Sequence, residues 1–176
     1  MAPHDRAAAP GEPEAAFVHL VEAHLDAAYR LATFILAGDR SEAEDAVHDA
    51  ALRAWEHFGD VRDRERFEAW FSRIVVNACR DRIAKRRLRP VALGDPDMGA
   101  APDHADALVR SDAIERAMLA LSPEHRVVVA LRYIEDRSIQ EIAVCTGQRP
   151  GTVKSRLHYA MRELRAALEA EAREVV

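Results

Sequence analysis

The sequence predicts an all-α protein of two small helical domains joined by a flexible linker, the C-terminal domain containing a helix-turn-helix. Three observations carry this reading. Ala, Leu, Glu and Arg, all good helix formers, dominate the 176 residues, while most of the 8 prolines gather near the N-terminus and in the middle. Apolar residues recur at helical rather than alternating spacing. A stretch over 89–110, rich in Pro, Gly, Ala and Asp, lacks that spacing and divides the chain. With 49% hydrophobic and 31% charged residues, the protein can bury one ordinary core or two small ones.

Residues 1–14 are Ala, Pro and Gly with few large apolar groups, which predicts a mobile tail. The N-terminal domain then spans 15–88. Phe17, Leu20, Val21, Leu25, Ala28, Leu31, Ile35 and Leu36 mark its first helix. Ala37-Gly38-Asp39-Arg40 breaks the pattern, and Ser41 with Glu44 has the spacing of a capping box opening a second helix that runs to about Phe58. Ala43, Val47, Ala50, Ala51, Ala54, Trp55 and Phe58 form its core stripe; Asp45, Asp49, Arg53 and Glu56 lie away from it. After a polar connection, Phe67, Trp70, Phe71, Ile74, Val75, Ala78 and Ile83 mark a third helix ending in a basic run.

The linker occupies 89–110 and the C-terminal domain 111–176. Ile114, Ala117, Met118 and Leu121 give its first helix. Ser122 supplies a hydroxyl cap, and Pro123 sits at the first helical position, where its missing N–H costs little. Val127, Val128, Ala130, Leu131 and Ile134 fill the next helix. Ser138 and Glu141 repeat the capping-box spacing before a short helix through Ile139, Ile142 and Ala143; Gly147 marks a turn, and a last helix runs from about Pro150 to Ala170. This is the layout of a helix-turn-helix.

Charge narrows the function. The net charge of −5 argues against a simple nucleic-acid binder, but its distribution matters more. Residues 39–60 are dominated by Asp39, Glu42, Glu44, Asp45, Asp49, Glu56 and Asp60, whereas 73–89 carry Arg73, Arg80, Arg82, Lys85, Arg86, Arg87 and Arg89 against Asp81 alone. Such separation fits one surface for a polyanion and another for a basic or mixed protein partner, or two solvated helix faces. In the last helix, Val153, Leu157, Met161 and Leu164 step by four, four and three as a core stripe. That leaves Lys154, Ser155, His158, Arg162 and Arg165 on other faces; Lys154 and Ser155 can hydrogen-bond base edges, and Arg149, Thr152 and Arg156 are placed to take phosphates, in the manner of a recognition helix. A solvated basic helix is the plainer alternative.

Other classes are disfavoured. No apolar run approaches the roughly 20 residues needed to cross a bilayer, and the first residues lack the apolar centre of a signal peptide, so a cytoplasmic location is expected. Cys79 and Cys145 lie far apart and read as small buried residues rather than a disulfide or metal pair. There is no HExxH, no Gly-rich phosphate loop, and a single Asp45-x-x-His48 spacing. The expectation is therefore no enzyme, no cofactor and no metal.

Ala43–Trp55 (AEDAVHDAALRAW), Phe67–Arg87 (FEAWFSRIVVNACRDRIAKRR) and Leu121–Arg165 together resemble the extracytoplasmic-function group of bacterial sigma factors, in the family's order and with a linker in the expected place. The C-terminal motif alone is shared with other activators; the acidic N-terminal motif separates them. The resemblance implies a sigma factor that binds core RNA polymerase through the largest-subunit clamp helices and the flap, and directs initiation at promoter DNA. It assigns polymerase binding to Glu44, Asp45, Asp49, Leu52 and Arg53, with Trp55 packed inside. It places Arg73, Ile74 and Asn77 at a pocket for a flipped −10 base, and Arg80, Arg82 and Lys85 on the adjoining DNA backbone. Lys154, Ser155, His158 and Tyr159 match −35 reading positions. An anti-sigma partner is implied as well. Thr146 and Gln148 stand where the family usually has apolar residues flanking the turn glycine, which implies a looser turn or one covered by another side chain.

Overall fold

The apolar stripes wind into α1 (Glu12–Ile35), α2 (Arg40–Glu56) and α3 (Phe67–Leu88), then α4 (Pro123–Tyr133), α5 (Ile139–Thr146) and α6 (Pro150–Glu174). Short 3-10 turns, Phe58–Asp60 and Arg64–Arg66, join α2 to α3, and residues 116–120 are also helical. This computed structural model describes residues 12–61, 63–88 and 116–174, and no strand occurs among them. Helix α1 begins at Glu12, so the last residues of the expected 1–14 tail are helical; the rest of that tail and the expected linker 89–110 lie outside the described residues.

The start of α2 corrects the sequence reading. Ala37 (φ 58°) and Gly38 (φ 85°) take left-handed conformations, with Gly38 N–H donating to the Thr33 carbonyl at 2.9 Å. This turn delivers Asp39 to the cap, where its carboxylate accepts from the Glu42 N–H at 3.1 Å. Ser41 is left in the first turn, and the expected Ser41–Glu44 box does not form. Downstream the caps fall where expected. Ser122 accepts from the His125 N–H at 3.2 Å with Pro123 in the first turn, and Ser138 and Glu141 form a complete capping box at 3.3 and 2.8 Å.

Small residues let the N-terminal helices close up. Ala43, Ala46, Ala50 and Ala54 of α2 are buried, and Leu31, Ile35, Phe67, Phe71, Val75 and Val76 fill the space they leave. Phe17, Phe58 and Phe67 meet edge to face with centroids 5.1 to 6.4 Å apart. Trp55, expected inside, instead borders this cluster: its ring lies 5.1 Å from Phe17 of α1, yet the residue is 45% exposed.

The two halves pack on each other. Val127, Val128, Leu131 and Ile142 belong to the same buried cluster as Leu31, Ile35, Phe71 and Val75. Arg126 donates through Nε to the Ile35 carbonyl at 2.9 Å, and through Nη1 to those of Met118 (3.3 Å) and Leu121 (3.1 Å), so one guanidinium satisfies carbonyls at the ends of two helical segments. Burial, opposed by Glu124, pulls its pKa down. Farther along, Asp136 (φ 48°) turns the α4–α5 connection so that both of its neighbours reach α3. Ser72 Oγ donates to Glu135 Oε1 at 3.0 Å, and Arg137 binds Glu135 Oε2 at 3.1 Å and Glu68 Oε1 at 3.2 Å.

Candidate protein and nucleic-acid interfaces

Helix α2 turns its alanines inward, so at about 100° per residue its acidic positions must face out. Glu44, Asp45 and Leu52 are exposed, and Asp49 and Arg53 half-buried. Leu52 is 52% exposed and Trp55 45%, which places apolar surface beside carboxylates. That combination suits a protein partner with basic and apolar groups better than it suits water alone.

Helix α3 has two polar sides. Arg73 and Asn77 lie exposed one turn apart; Ile74 is half-buried beneath them, and Arg80 continues the side. Arg80 Nη1 also donates to the Thr146 carbonyl at 3.5 Å, which brings the end of α5 against this helix. Lys85 is exposed. Arg82 is turned the other way. Its Nη1 binds Glu42 Oε2 at 2.9 Å and Asp45 Oδ2 at 3.0 Å, and its Nη2 binds Asp49 Oδ2 at 3.0 Å. Partial burial opposes its charge, but the hydrogen bonds to Glu42 and Asp49 outweigh that and raise its pKa. Arg53 to Asp81 at 2.8 Å and Arg86 to Asp39 at 3.7 Å complete a seam between α2 and α3.

The helix-turn-helix closes tightly. Gly147 sits at φ 68°, and its N–H and that of Gln148 both return to the Ala143 carbonyl. Thr146 fills the place expected for an apolar residue: it is buried, and its hydroxyl donates to the Ile142 carbonyl at 2.7 Å. Polarity there does not loosen the turn. Helix α6 buries Val153 and Ala160 completely, with Leu157, Met161 and Leu164 half-buried beside them. Ala160 belongs to the core side but escaped the sequence reading, which weighed only larger residues. Arg149, Thr152, Lys154, Ser155, His158 and Tyr159 are exposed, while Arg156 is half-buried. Ser155 donates to the Gly151 carbonyl at 2.9 Å, which fixes its hydroxyl with lone pairs outward. His158 and Tyr159 pack edge to face at 5.6 Å, and Arg162 lies 5.9 Å over the tyrosine ring. Glu124, at the start of α4, is held below the usual carboxylate range by its own backbone N–H and then by Arg87 and Arg156.

Cys79 is fully buried and Cys145 half-buried; burial pushes their thiols up to about 12 and about 11. Between the halves lies an open, mainly apolar groove of about 460 Å³, lined by Tyr29, Phe34, Met118 and Ile134 with Arg30 and Arg40 among its polar groups. No helix among the described residues is long and apolar enough to cross a membrane.

A helix-turn-helix with an exposed polar face on its second helix, joined to a helix bundle, is the architecture of a DNA-binding regulator. Residues 20–89 match Sigma-70 region 2, and residues 111–164 match Sigma-70, region 4. The chain is 37% identical over 140 residues to the ECF RNA polymerase sigma factor SigL of Mycobacterium tuberculosis, a match covering 76% of this chain and 78% of SigL. It is 30% identical over 167 residues to SigW of Bacillus subtilis, covering 87% of this chain and 89% of that one. Among solved structures it is similar to CnrH in complex with the cytosolic domain of CnrY, with a TM-score of 0.65, 26% identity, and coverage of 89% and 90%. The fold is also that of the sigma factor RpoE in complex with the anti-sigma factor NepR from Bartonella quintana, at a TM-score of 0.67 and 23% identity, covering 88% and 97%. The chain belongs to the ECF sigma factors. It is a factor for promoter-directed transcription initiation, and the family comprises transcription regulators rather than enzymes.

Proposed function

We propose that this sigma factor divides its task among three surfaces. The outward face of α2, with Glu44, Asp45, Asp49, Leu52 and Arg53, docks on the clamp helices of the largest polymerase subunit, and the C-terminal half meets the flap. The exposed side of α3 captures the melted −10 strand. Asn77 can both donate to and accept from an unpaired base, Arg73 and Ile74 border it, and Arg80 and Lys85 hold phosphates. Helix α6 enters the −35 major groove, where Lys154, Ser155, His158 and Tyr159 meet base edges and Arg149, Thr152 and Arg156 the backbone. All of this belongs in the cytoplasm.

The observation that carries this reading is the division of α6: Val153 and Ala160 lie wholly inside, while Thr152, Lys154, Ser155, His158 and Tyr159 stand in solvent just after the left-handed Gly147. Control by an anti-sigma protein is part of the proposal. The groove between the halves is apolar with Arg30 and Arg40 beside it, which fits an acidic amphipathic segment.

Run-off transcription with purified core polymerase and promoter fragments tests the whole. Defined transcripts that depend on this protein are expected; DNA binding without initiation would favour a free-standing activator. Lys154→Ala with His158→Ala should flatten discrimination among −35 variants, since each good base contact contributes about 1 to 3 kcal/mol of discrimination. Unchanged discrimination would remove both residues from base reading.

A further inference from the structure

Arg82 comes from the same basic run as Arg80 and Lys85, and the family resemblance sets it on DNA. The geometry points elsewhere. At about 100° per residue, position 82 stands roughly opposite position 73 on the helix, facing α2 and away from Asn77. Its side chain is only 18% exposed, against 68% for Arg86 and 62% for Arg87 in the same run. Three carboxylates, Glu42, Asp45 and Asp49, hold its two terminal nitrogens at 2.9 to 3.0 Å, and its Nε is buried without a partner. A phosphate would have to displace all three acids.

We propose that Arg82 is a positioning residue for polymerase docking: it fixes the carboxylates of α2 that meet the polymerase, and ties their orientation to the helix that captures the −10 strand. This rests on the surface assignment proposed above. Three acids at positions i, i+3 and i+7 of one helix repel each other, and a lone guanidinium with its donors in a rigid fork can hold them together. Asp45 and Asp49 each give one oxygen to Arg82, which leaves the other for a cation of the polymerase. The cluster keeps a net negative charge, so Arg82 orders the acidic face without cancelling it. A lysine, with one compact ammonium, cannot bridge the same three groups.

The test uses the full-length chain and core polymerase, with variants Arg82→Met, Arg82→Lys and Lys85→Ala. Core affinity is measured without DNA, and holoenzyme binding to a promoter is followed as a function of salt. Neutralising one phosphate contact contributes a slope of about −0.9 on duplex DNA and about −0.7 on single strands in log K against log salt. The expected result is a fall in core affinity of about tenfold for Arg82→Met, a smaller fall for Arg82→Lys, and an unchanged salt slope for both. A slope reduced by about one contact in either variant would put Arg82 on DNA and overturn the proposal; so would core affinity equal to the parent's in both. Arg82→Lys keeps the question open to measurement if Arg82→Met folds poorly. An unchanged slope in Lys85→Ala would instead count against the −10 assignment, separately from Arg82.

Discussion

Replacing Arg137 by Met removes the cation that holds the α4–α5 connection against α3. Its side chain is 12% exposed and binds Glu135, which is 6% exposed, as well as Glu68, which is 56% exposed. The Glu68 pair is near the surface and contributes under about 1 kcal/mol. Glu135 decides the magnitude: without Arg137 its buried carboxylate keeps, among the described residues, the Ser72 hydroxyl, and an uncompensated buried charge costs about 3 to 5 kcal/mol. Arg137→Met should therefore destabilise the packed chain by about 3 kcal/mol. Adding Glu135→Gln removes the stranded charge, so the double variant should recover about half of that loss. Urea denaturation of the parent, both single variants and the double variant gives the cycle. A spin-label pair on α1 and α6 reports in parallel whether the halves separate before either unfolds. A loss below about 1 kcal/mol for Arg137→Met, or strict additivity in the cycle, would refute the reasoning.

Asn77→Ala should impair opening at the −10 region, read by permanganate footprinting, with core affinity nearly unchanged; joint loss of both would make Asn77 structural. Gly147→Ala meets no atom within 4 Å of the added carbon, so its cost is that of a left-handed alanine, about 1 to 2 kcal/mol in thermal or urea melts. Ser138→Ala removes one side of the capping box and should cost about 1 kcal/mol, with helix-turn-helix amide exchange accelerating accordingly. With thiol pKa values raised to about 12 and about 11, Cys79 and Cys145 should stay unreactive towards a disulfide reagent at pH 8 until the chain is unfolded. Each folded-state pKa lies above its unfolded value near 9.0, so thiol ionisation does not penalise the fold below pH 9, and stability is lost as pH climbs from 9 towards 11 and 12. Rapid labelling of the native protein would contradict the burial.

What could be read from sequence was local. The Ser122-Pro123 and Ser138–Glu141 caps formed because each depends on neighbours within one turn. The cap of α2 did not follow the same rule, since the left-handed pair at Ala37 and Gly38 placed Asp39 first, and alanine gives no warning of a positive φ. Trp55 was assigned to the core by its spacing, but spacing cannot say how completely neighbouring helices cover it; the residue stays 45% exposed. Arg82 was grouped with its basic neighbours by composition, although helical arithmetic alone would have put it on the side facing α2. The contacts between Ser72 and Glu135, or Ile35 and Arg126, span 63 and 91 residues and leave no periodic trace.

Those long-range contacts bear on how promoter recognition must proceed. In the packed arrangement Arg80, on the side of α3 proposed to meet the −10 strand, reaches the carbonyl of Thr146 in the helix-turn-helix, and Ile142 shares a core with Val75. Elements centred near −10 and −35 are separated by about 25 base pairs, or roughly 85 Å at 3.4 Å per base pair. The longest helix among the described residues, α6, has 25 residues and spans only about 37 Å. A chain packed in this way cannot lay α3 on one element and α6 on the other. On the proposed assignment, reading both requires the halves to part, which exposes Val128, Leu131 and Ile142 and breaks the Glu135 and Arg126 contacts. The proposal then requires the polymerase to supply surface that replaces what is lost. The spin-label distance between α1 and α6 should accordingly lengthen by tens of ångströms when core polymerase and promoter are added. A distance unchanged in an initiation-competent complex would show that the two elements are not read by one chain in the manner proposed.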